Sequence, residues 1–218
     1  NIQAGLSASP DEIGWVQTSY LIAEVVMIPL SGFLSRLIST RWLFVASAIG
    51  FTIFSIASAC AWSIESMIWF RAAQGFLGGA MIPTVFATTY IIFPADKRNT
   101  ASVMIGLIAA MAPTVGPTLG GYLTQSFSWH WLFLINIPIS IIAIGLGTFA
   151  LPYTKPTRTR FDYISAFLNV LAFGGLISAL GNVGTQSHPM LIAGQFVIAI
   201  TAGFFLVRRQ FSRERPML

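Results

Sequence analysis

Two ionisable residues stand inside long apolar runs, where a charge can do chemistry. Glu24 falls about halfway along the run from Ile13 to Leu34. Arg71 lies about one and a half turns into the run from Ser66 to Phe93. A charge in hydrocarbon costs at least about 2.5 kcal/mol, so such residues normally face a cavity or a partner. A carboxylate there can carry a proton, and an arginine can tune it or hold a substrate. Gln74 lies one turn beyond Arg71, and Gln17, Tyr20, Glu24 and Ser31 recur at helical spacing, which predicts a wet face on the first helix. The plainer readings are a structural ion pair, or an arginine that snorkels to the membrane surface. Glu24 and Arg71 differ in depth by only about 9 Å at 1.5 Å per residue. A long arginine could therefore reach toward the acid. Protonating Glu24 would then release Arg71, with substrate competing against the proton.

The remaining side chains argue against other chemistry. Asp11, Asp96 and Asp162 lie at the ends of apolar runs, and His130 and His188 lie between them. No aspartate pair or Ser/His pair is placed for an intramembrane protease. The last apolar run has no lysine for a Schiff base, which disfavours a rhodopsin-like seven-helix receptor. His130 and His188 read as interface or loop residues. The single Cys60 lies inside an apolar run and forms neither a disulfide framework nor a CxxC metal pair. The reading is a non-enzyme with no cofactor and no metal.

The elements that position these residues follow from composition. The chain has 218 residues, 55% hydrophobic and 9% charged, against roughly 25% charged for a soluble domain. Mean hydropathy is +0.76. So few ionic side chains cannot cover a water-soluble globule, and a disordered chain would be rich in charge. The polypeptide must sit in a lipid bilayer. The net charge of +5 and pI near 9.9 do not indicate a nucleic-acid partner, because the basic residues are scattered among short loops.

Apolar runs give seven expected spans, near residues 13–34, 42–62, 66–93, 101–123, 129–151, 163–183 and 190–207. The expected fold class is all-α, a polytopic membrane protein of about seven transmembrane helices. With Arg36 and Arg41 placed on one side, eleven of the twelve Lys and Arg residues fall there. They are Arg36, Arg41, Lys97, Arg98, Lys155, Arg158, Arg160, Arg208, Arg209, Arg213 and Arg215, while Asp11, Glu12 and Glu65 lie opposite. Cationic loops stay cytoplasmic, so the N-terminus is expected outside and the C-terminus inside. Trp15, Trp42, Trp62, Trp129 and Trp131 stand at span ends, as an interfacial belt requires. No signal peptide is visible and the first residue is Asn1. The chain is read as the interior piece of a longer protein.

Five prolines fall inside the spans: Pro29, Pro83, Pro113, Pro117 and Pro138. Each is expected to bend its helix. Kinked helices around a polar path suit a transporter that opens on alternate sides. Gly75 to Gly79 and Gly116 to Gly120 are GxxxG spacings, which let helix backbones approach closely. The Met and Phe residues read mostly as lipid-facing or core.

Three motifs now carry a resemblance that covers essentially the whole chain. Arg71-Ala72-Ala73-Gln74-Gly75 resembles the fourth-helix RxxqG motif of the major facilitator superfamily. Gly116-Pro117-Thr118-Leu119-Gly120-Gly121 resembles the GPxxGG antiporter signature of the fifth helix, which is associated with exporters. Asn136-Ile137-Pro138 resembles the NvP of the sixth. In this order the chain resembles the EmrB/QacA-type drug:proton antiporters with fourteen spans. The resemblance implies a partial facilitator bundle, with the first family helix and the second half outside the chain. Residues 1–154 would hold family helices two to six, and residues 155–218 two inserted linker helices and the start of the connection onward.

The resemblance implies proton-coupled efflux of drugs or other amphipathic small molecules across the bacterial inner membrane. Export of a specific metabolite, siderophore or sugar is the alternative. It assigns proton coupling to Arg71, and an antiporter hinge near the interface between halves to Pro113, Gly116, Pro117, Gly120 and Gly121. Gln74, Gln17, Tyr20 and Glu24 join the proton and substrate path on the reading of the residues alone. EmrB-like members work with a periplasmic adaptor and an outer-membrane channel, so these are partners the resemblance allows. The loop after the first span, Gly32 to Arg41, departs from the family's GxLaDrxGrr. Arg36 takes the acidic position and Ser39 the second glycine, so the salt bridge attributed to that acid is not expected here.

Overall fold

A computed structural model of the chain describes residues 2–157, 162–183 and 189–211, with Asp11 described by its backbone only. Arg158, Arg160, His188, Arg213 and Arg215, which entered the charge and loop reading, lie outside the described residues. The helices are α1 (Ile2–Gly5), α2 (Pro10–Ile38), α3 (Thr40–Ala59), α4 (Ile64–Gly78), α5 (Met81–Ile92), α6 (Ala95–Ser126), α7 (Trp131–Leu134), α8 (Asn136–Ala150), α9 (Tyr163–Asn169), α10 (Gly175–Asn182) and α11 (Pro189–Phe211). A single π-helical turn, Val170–Gly174, joins α9 to α10. They form seven stretches long and apolar enough to cross a membrane, one for each expected span.

The first, fourth and seventh spans run past the apolar cores that announced them at both ends, whereas the second stops at Ala59 and the fifth begins only at Trp131. The first begins at Pro10 because Ser9 builds a capping box: Glu12 N–H donates to Ser9 Oγ at 3.3 Å, and Ser9 N–H donates to Glu12 Oε2 at 2.9 Å. Proline is tolerated at this first position, where its missing N–H would be unpaired anyway. Likewise α6 starts at Ala95, so Asp96, Lys97 and Arg98, read as loop residues, form its first turn.

Two of the five prolines do not bend a continuous helix. The third span breaks at Gly79–Ala80, and Pro83 sits in the first turn of α5. The fifth breaks at Ile135, and Pro138 sits in the first turn of α8. A first turn has spare N–H groups, so proline fits there without costing a hydrogen bond. Pro29, Pro113 and Pro117 do lie within uninterrupted helices. One tryptophan also departs from the interfacial belt. Trp129 is buried, stacked on His130 with ring centroids 3.8 Å apart and edge-on to Phe133.

The core is divided between the two ends of the bundle. Near the Trp-rich end, Val16, Ala59, Ile64, Met67, Trp129 and Phe133 pack together. Near the other, Val26, Met27, Leu30, Phe33, Leu43 and Ala80 do so. Small residues bring the helices together where bulky ones would hold them apart. Ser47, Ser55 and Ser58 line α3, all buried. Ser55 Oγ donates to Phe133 O at 2.9 Å and receives Asn136 Nδ2 at 3.0 Å, tying α3 to the break between α7 and α8.

The last two spans form a hairpin that packs against α2. Asn169, buried in this hairpin, donates its Nδ2 to Val26 O at 2.8 Å. That carbonyl belongs to the turn loosened by Pro29, where the proline ring crowds the preceding carbonyls. The hairpin closes through Arg209 and Asp162, with Nη2 to Oδ1 at 3.1 Å, while Asp162 caps α9 through Ser165 N–H at 3.2 Å.

Candidate functional site

The polar side chains of the first and third spans meet across the seam between α2 and α4. That seam exists because Gly75 and Gly79 remove two side chains from it. A Cβ on Gly75 would collide with the Tyr20 carbonyl oxygen, and one on Gly79 with the Glu24 carbonyl oxygen. Both obstacles are backbone, which cannot rotate aside. Ser19 Oγ adds a cross-link by donating to Ile68 O at 3.2 Å.

Arg71 projects from α4 into this seam and is held on three sides. Its Nη1 donates to Gln74 Oε1 at 2.8 Å and its Nη2 to Gln17 Oε1 at 3.4 Å. Its guanidinium carbon lies 4.1 Å from the centre of the Tyr20 ring, within cation–π range. The Phe133 ring lies 5.8 Å away on another side. The structure thus brings Arg71, Gln74, Gln17 and Tyr20 into one cluster. Gln74 is fully buried, and its Nε2 finds no acceptor among the described residues. Since the Arg71 contact fixes Oε1 as the acceptor, that amide is a donor left over at the centre of the cluster.

Glu24 lies close enough to feel the charge of Arg71 but makes no hydrogen bond to the cluster among the described residues. Among the described residues Glu24 and Arg71 form no ion pair, although their separation in depth had suggested a long arginine could reach the acid. The guanidinium is spent on the two glutamines and the tyrosine ring. Glu24 stands half-buried one turn farther along α2, its backbone pressed by Gly79. The stripe also ends earlier than its spacing suggests: Ser31 is buried and donates to Ile28 O of its own helix at 2.6 Å. Phe133 was not anticipated, because only the packing of α7 on α3 carries it to the seam.

A cavity of about 380 Å³ adjoins the cluster through Gln17. Gln3, Ile13, Val16, Thr124 and Leu132 also line it, giving apolar walls with three side chains that can hydrogen-bond.

The GPxxGG element lies elsewhere. Pro113, Gly116 and Pro117 are exposed on α6, which touches only α5 and α7 among the described helices. A Cβ on Gly116 or Gly121 would meet nothing within 4 Å, and one on Gly120 would meet only Leu132 Cδ2, at 3.3 Å.

Comparison with known proteins agrees with this architecture. The Major Facilitator Superfamily profile matches residues 1–168. The colistin resistance protein EmrB of Acinetobacter baumannii is 40% identical over 228 residues, covering 100% of this chain and 43% of that protein. The uncharacterized transporter YebQ of Escherichia coli is 32% identical over 219 residues, covering 100% and 48%. The putative multidrug resistance protein MdtD of Yersinia pestis is 32% identical over 203 residues, covering 93% and 44%. The chain therefore spans less than half the length of these relatives. With a matching profile over most of its residues and seven helices fit to cross a bilayer, it belongs to the major facilitator superfamily.

Proposed function

We propose that this chain is part of a proton-coupled exporter of drugs or other amphipathic small molecules, with Arg71 at the coupling site. The observation that carries the reading is the arginine in the α2–α4 seam, held by two neutral amides and an aromatic face with no carboxylate paired to it among the described residues. A guanidinium stays protonated at any working pH. An unpaired one attracts a carboxylate or an anionic substrate group, and Glu24, one turn from Tyr20, is the nearest acid on the facing helix. The buried Gln74 amide supplies a further donor to whatever enters. The cavity beside Gln17 has the mixed lining that suits amphipathic molecules. Relatives named for colistin and multidrug resistance favour this substrate class.

The open face of α6, with Pro113, Gly116, Pro117, Gly120 and Gly121, belongs to the same proposal as the hinge that meets the rest of the longer protein. So do residues 1–154 as facilitator helices with 155–218 as the inserted pair. So does an orientation with the Lys/Arg-rich loops cytoplasmic, as the charge asymmetry favours. A periplasmic adaptor and an outer-membrane channel are the partners to seek by co-purification. The test is the full-length protein in proteoliposomes with an imposed pH gradient and a panel of chemically dissimilar cations and weak acids. Proton-driven movement of several of them supports the reading. Movement of a single metabolite, siderophore or sugar favours the specific exporter, and movement independent of the gradient contradicts proton coupling.

A further inference from the structure

The turn between α2 and α3 holds a residue where glycine would be easier. Ser39 has φ 87° and ψ 141° and is fully buried. A side chain is disfavoured at that φ, so something must retain the serine. Its hydroxyl is engaged by a residue far along the chain. Thr154 N–H donates to Ser39 Oγ at 3.2 Å, and Thr154 Oγ1 donates to it at 3.4 Å.

Thr154 lies in the segment Leu151–Thr157 that follows α8, and both ends of that segment also reach the turn. Ser39 occupies the N-cap position of α3 but makes no side-chain cap bond there. Thr154 supplies the cap from outside: Thr40 N–H donates to Thr154 Oγ1 at 3.0 Å. Thr157 N–H donates to Arg36 O in the last turn of α2, at 2.8 Å. Arg41, in the first turn of α3, donates Nε to Leu151 O just past the end of α8, at 2.6 Å. Helix ends leave backbone groups unpaired. Here three ends, those of α2, α3 and α8, satisfy one another through a single segment.

We propose that Leu151–Thr157 is a strap that fixes the α2–α3 turn, with Thr154 as its positioning residue, so that turn and strap move as one unit. Ser39 is kept because its oxygen anchors the strap. The strap holds this turn from within the same chain, in a loop whose usual acidic position is filled by Arg36. The docking stands on the geometry alone. Its consequence for transport rests on the exporter reading, because α2 runs from this turn to Gln17 and Tyr20 at the arginine cluster.

Hydrogen exchange on the full-length protein in nanodiscs tests it at the amides of Thr40, Thr154 and Thr157. All three should be protected in the wild type. Thr154→Val should speed exchange at Thr40 and Thr157 at least tenfold, and Thr154→Ser, which keeps the hydroxyl, should restore protection. Ser39→Gly should speed exchange at Thr154 by a similar factor, although glycine suits the backbone better. Unprotected amides in the wild type, or protection unchanged in Thr154→Val, would overturn the strap. In proteoliposomes Thr154→Val should slow export at least threefold and Thr154→Ser should recover it. Full export alongside lost protection would overturn the positioning role. A wild type that exports nothing would fail the exporter reading, while exchange would still decide the docking.

Discussion

Gly75–Gly79 on α4 and Gly116–Gly120 on α6 have the same spacing and opposite surroundings. The first pair lies flush against the backbone of α2, with no room for a methyl group at either position. The second faces open space at Gly116 and a single leucine side chain at Gly120. A small-residue spacing therefore marks a surface able to admit a close neighbour, and the neighbour decides what the surface does. At α4 the neighbour is α2, packed against the glycines through its backbone, and it helps hold Arg71 between Gln17 and Tyr20. At α6 no such neighbour is present among the described residues, and the proposed hinge would use that surface for a contact that can form and break.

The largest expected effect separates the two pairs directly. Gly75→Ala should destabilise the full-length protein by about 1–3 kcal/mol, because the added carbon meets backbone and α2 must move away. Gly116→Ala should leave stability unchanged or raise it by up to about 1 kcal/mol, since the added methyl meets nothing and helix propensity favours alanine. It should nevertheless slow export, because the hinge surface changes shape. Unfolding curves of both variants check this, and equal destabilisation by the two would break the comparison.

A smaller effect sharpens the picture of the α2–α4 seam. Tyr20→Leu removes the aromatic face beneath the guanidinium, a loss of about 1 kcal/mol, and should lower proton-driven export roughly fivefold. Tyr20→Phe keeps that face and should stay within about twofold. Initial rates in proteoliposomes measure both, and a phenylalanine variant as impaired as the leucine one would move the role from the ring to the hydroxyl.

The smallest concerns the hairpin on the far side of α2. Burial of the Asp162 carboxyl raises its pKa, but hydrogen bonds from Arg209 and Ser165 outweigh that and hold it well below the usual carboxylate range. A folded pKa below the unfolded value of about 3.9 means the pair stabilises fully at neutral pH, and the contribution is lost as pH falls below about 4. Asp162→Asn, which keeps a capping oxygen, should cost about 0.5–1 kcal/mol at pH 7. The difference from wild type should shrink under acid, as thermal unfolding at several pH values would show.

The seven spans were legible in the sequence because lipid demands long apolar runs, and nothing else in this chain resembles them. The cluster was partly legible. Arg71 and Gln74 announce themselves as polar residues one turn apart in such a run, and Gln17 and Tyr20 by their spacing. Glu24 was expected to meet Arg71 because depth along two helices can be counted, whereas the direction in which a guanidinium turns cannot. The breaks at Gly79–Ala80 and Ile135 were hidden because Pro83 and Pro138 look the same in sequence whether they kink a helix or begin one. Asn169 on Val26 and Thr154 on Ser39 depend on helix rotation and loop register between distant segments, which no local pattern records.

The most direct test of the central claim replaces Arg71 with lysine in the full-length protein. Lysine keeps the charge but cannot bridge Gln17 and Gln74 while lying over Tyr20. Uphill, proton-driven export and downhill equilibration of the same substrate would be measured in one proteoliposome preparation. The account predicts that uphill export falls at least tenfold while downhill movement survives, because coupling is lost and the pathway is not. Uphill export at the wild-type rate in Arg71→Lys would contradict it.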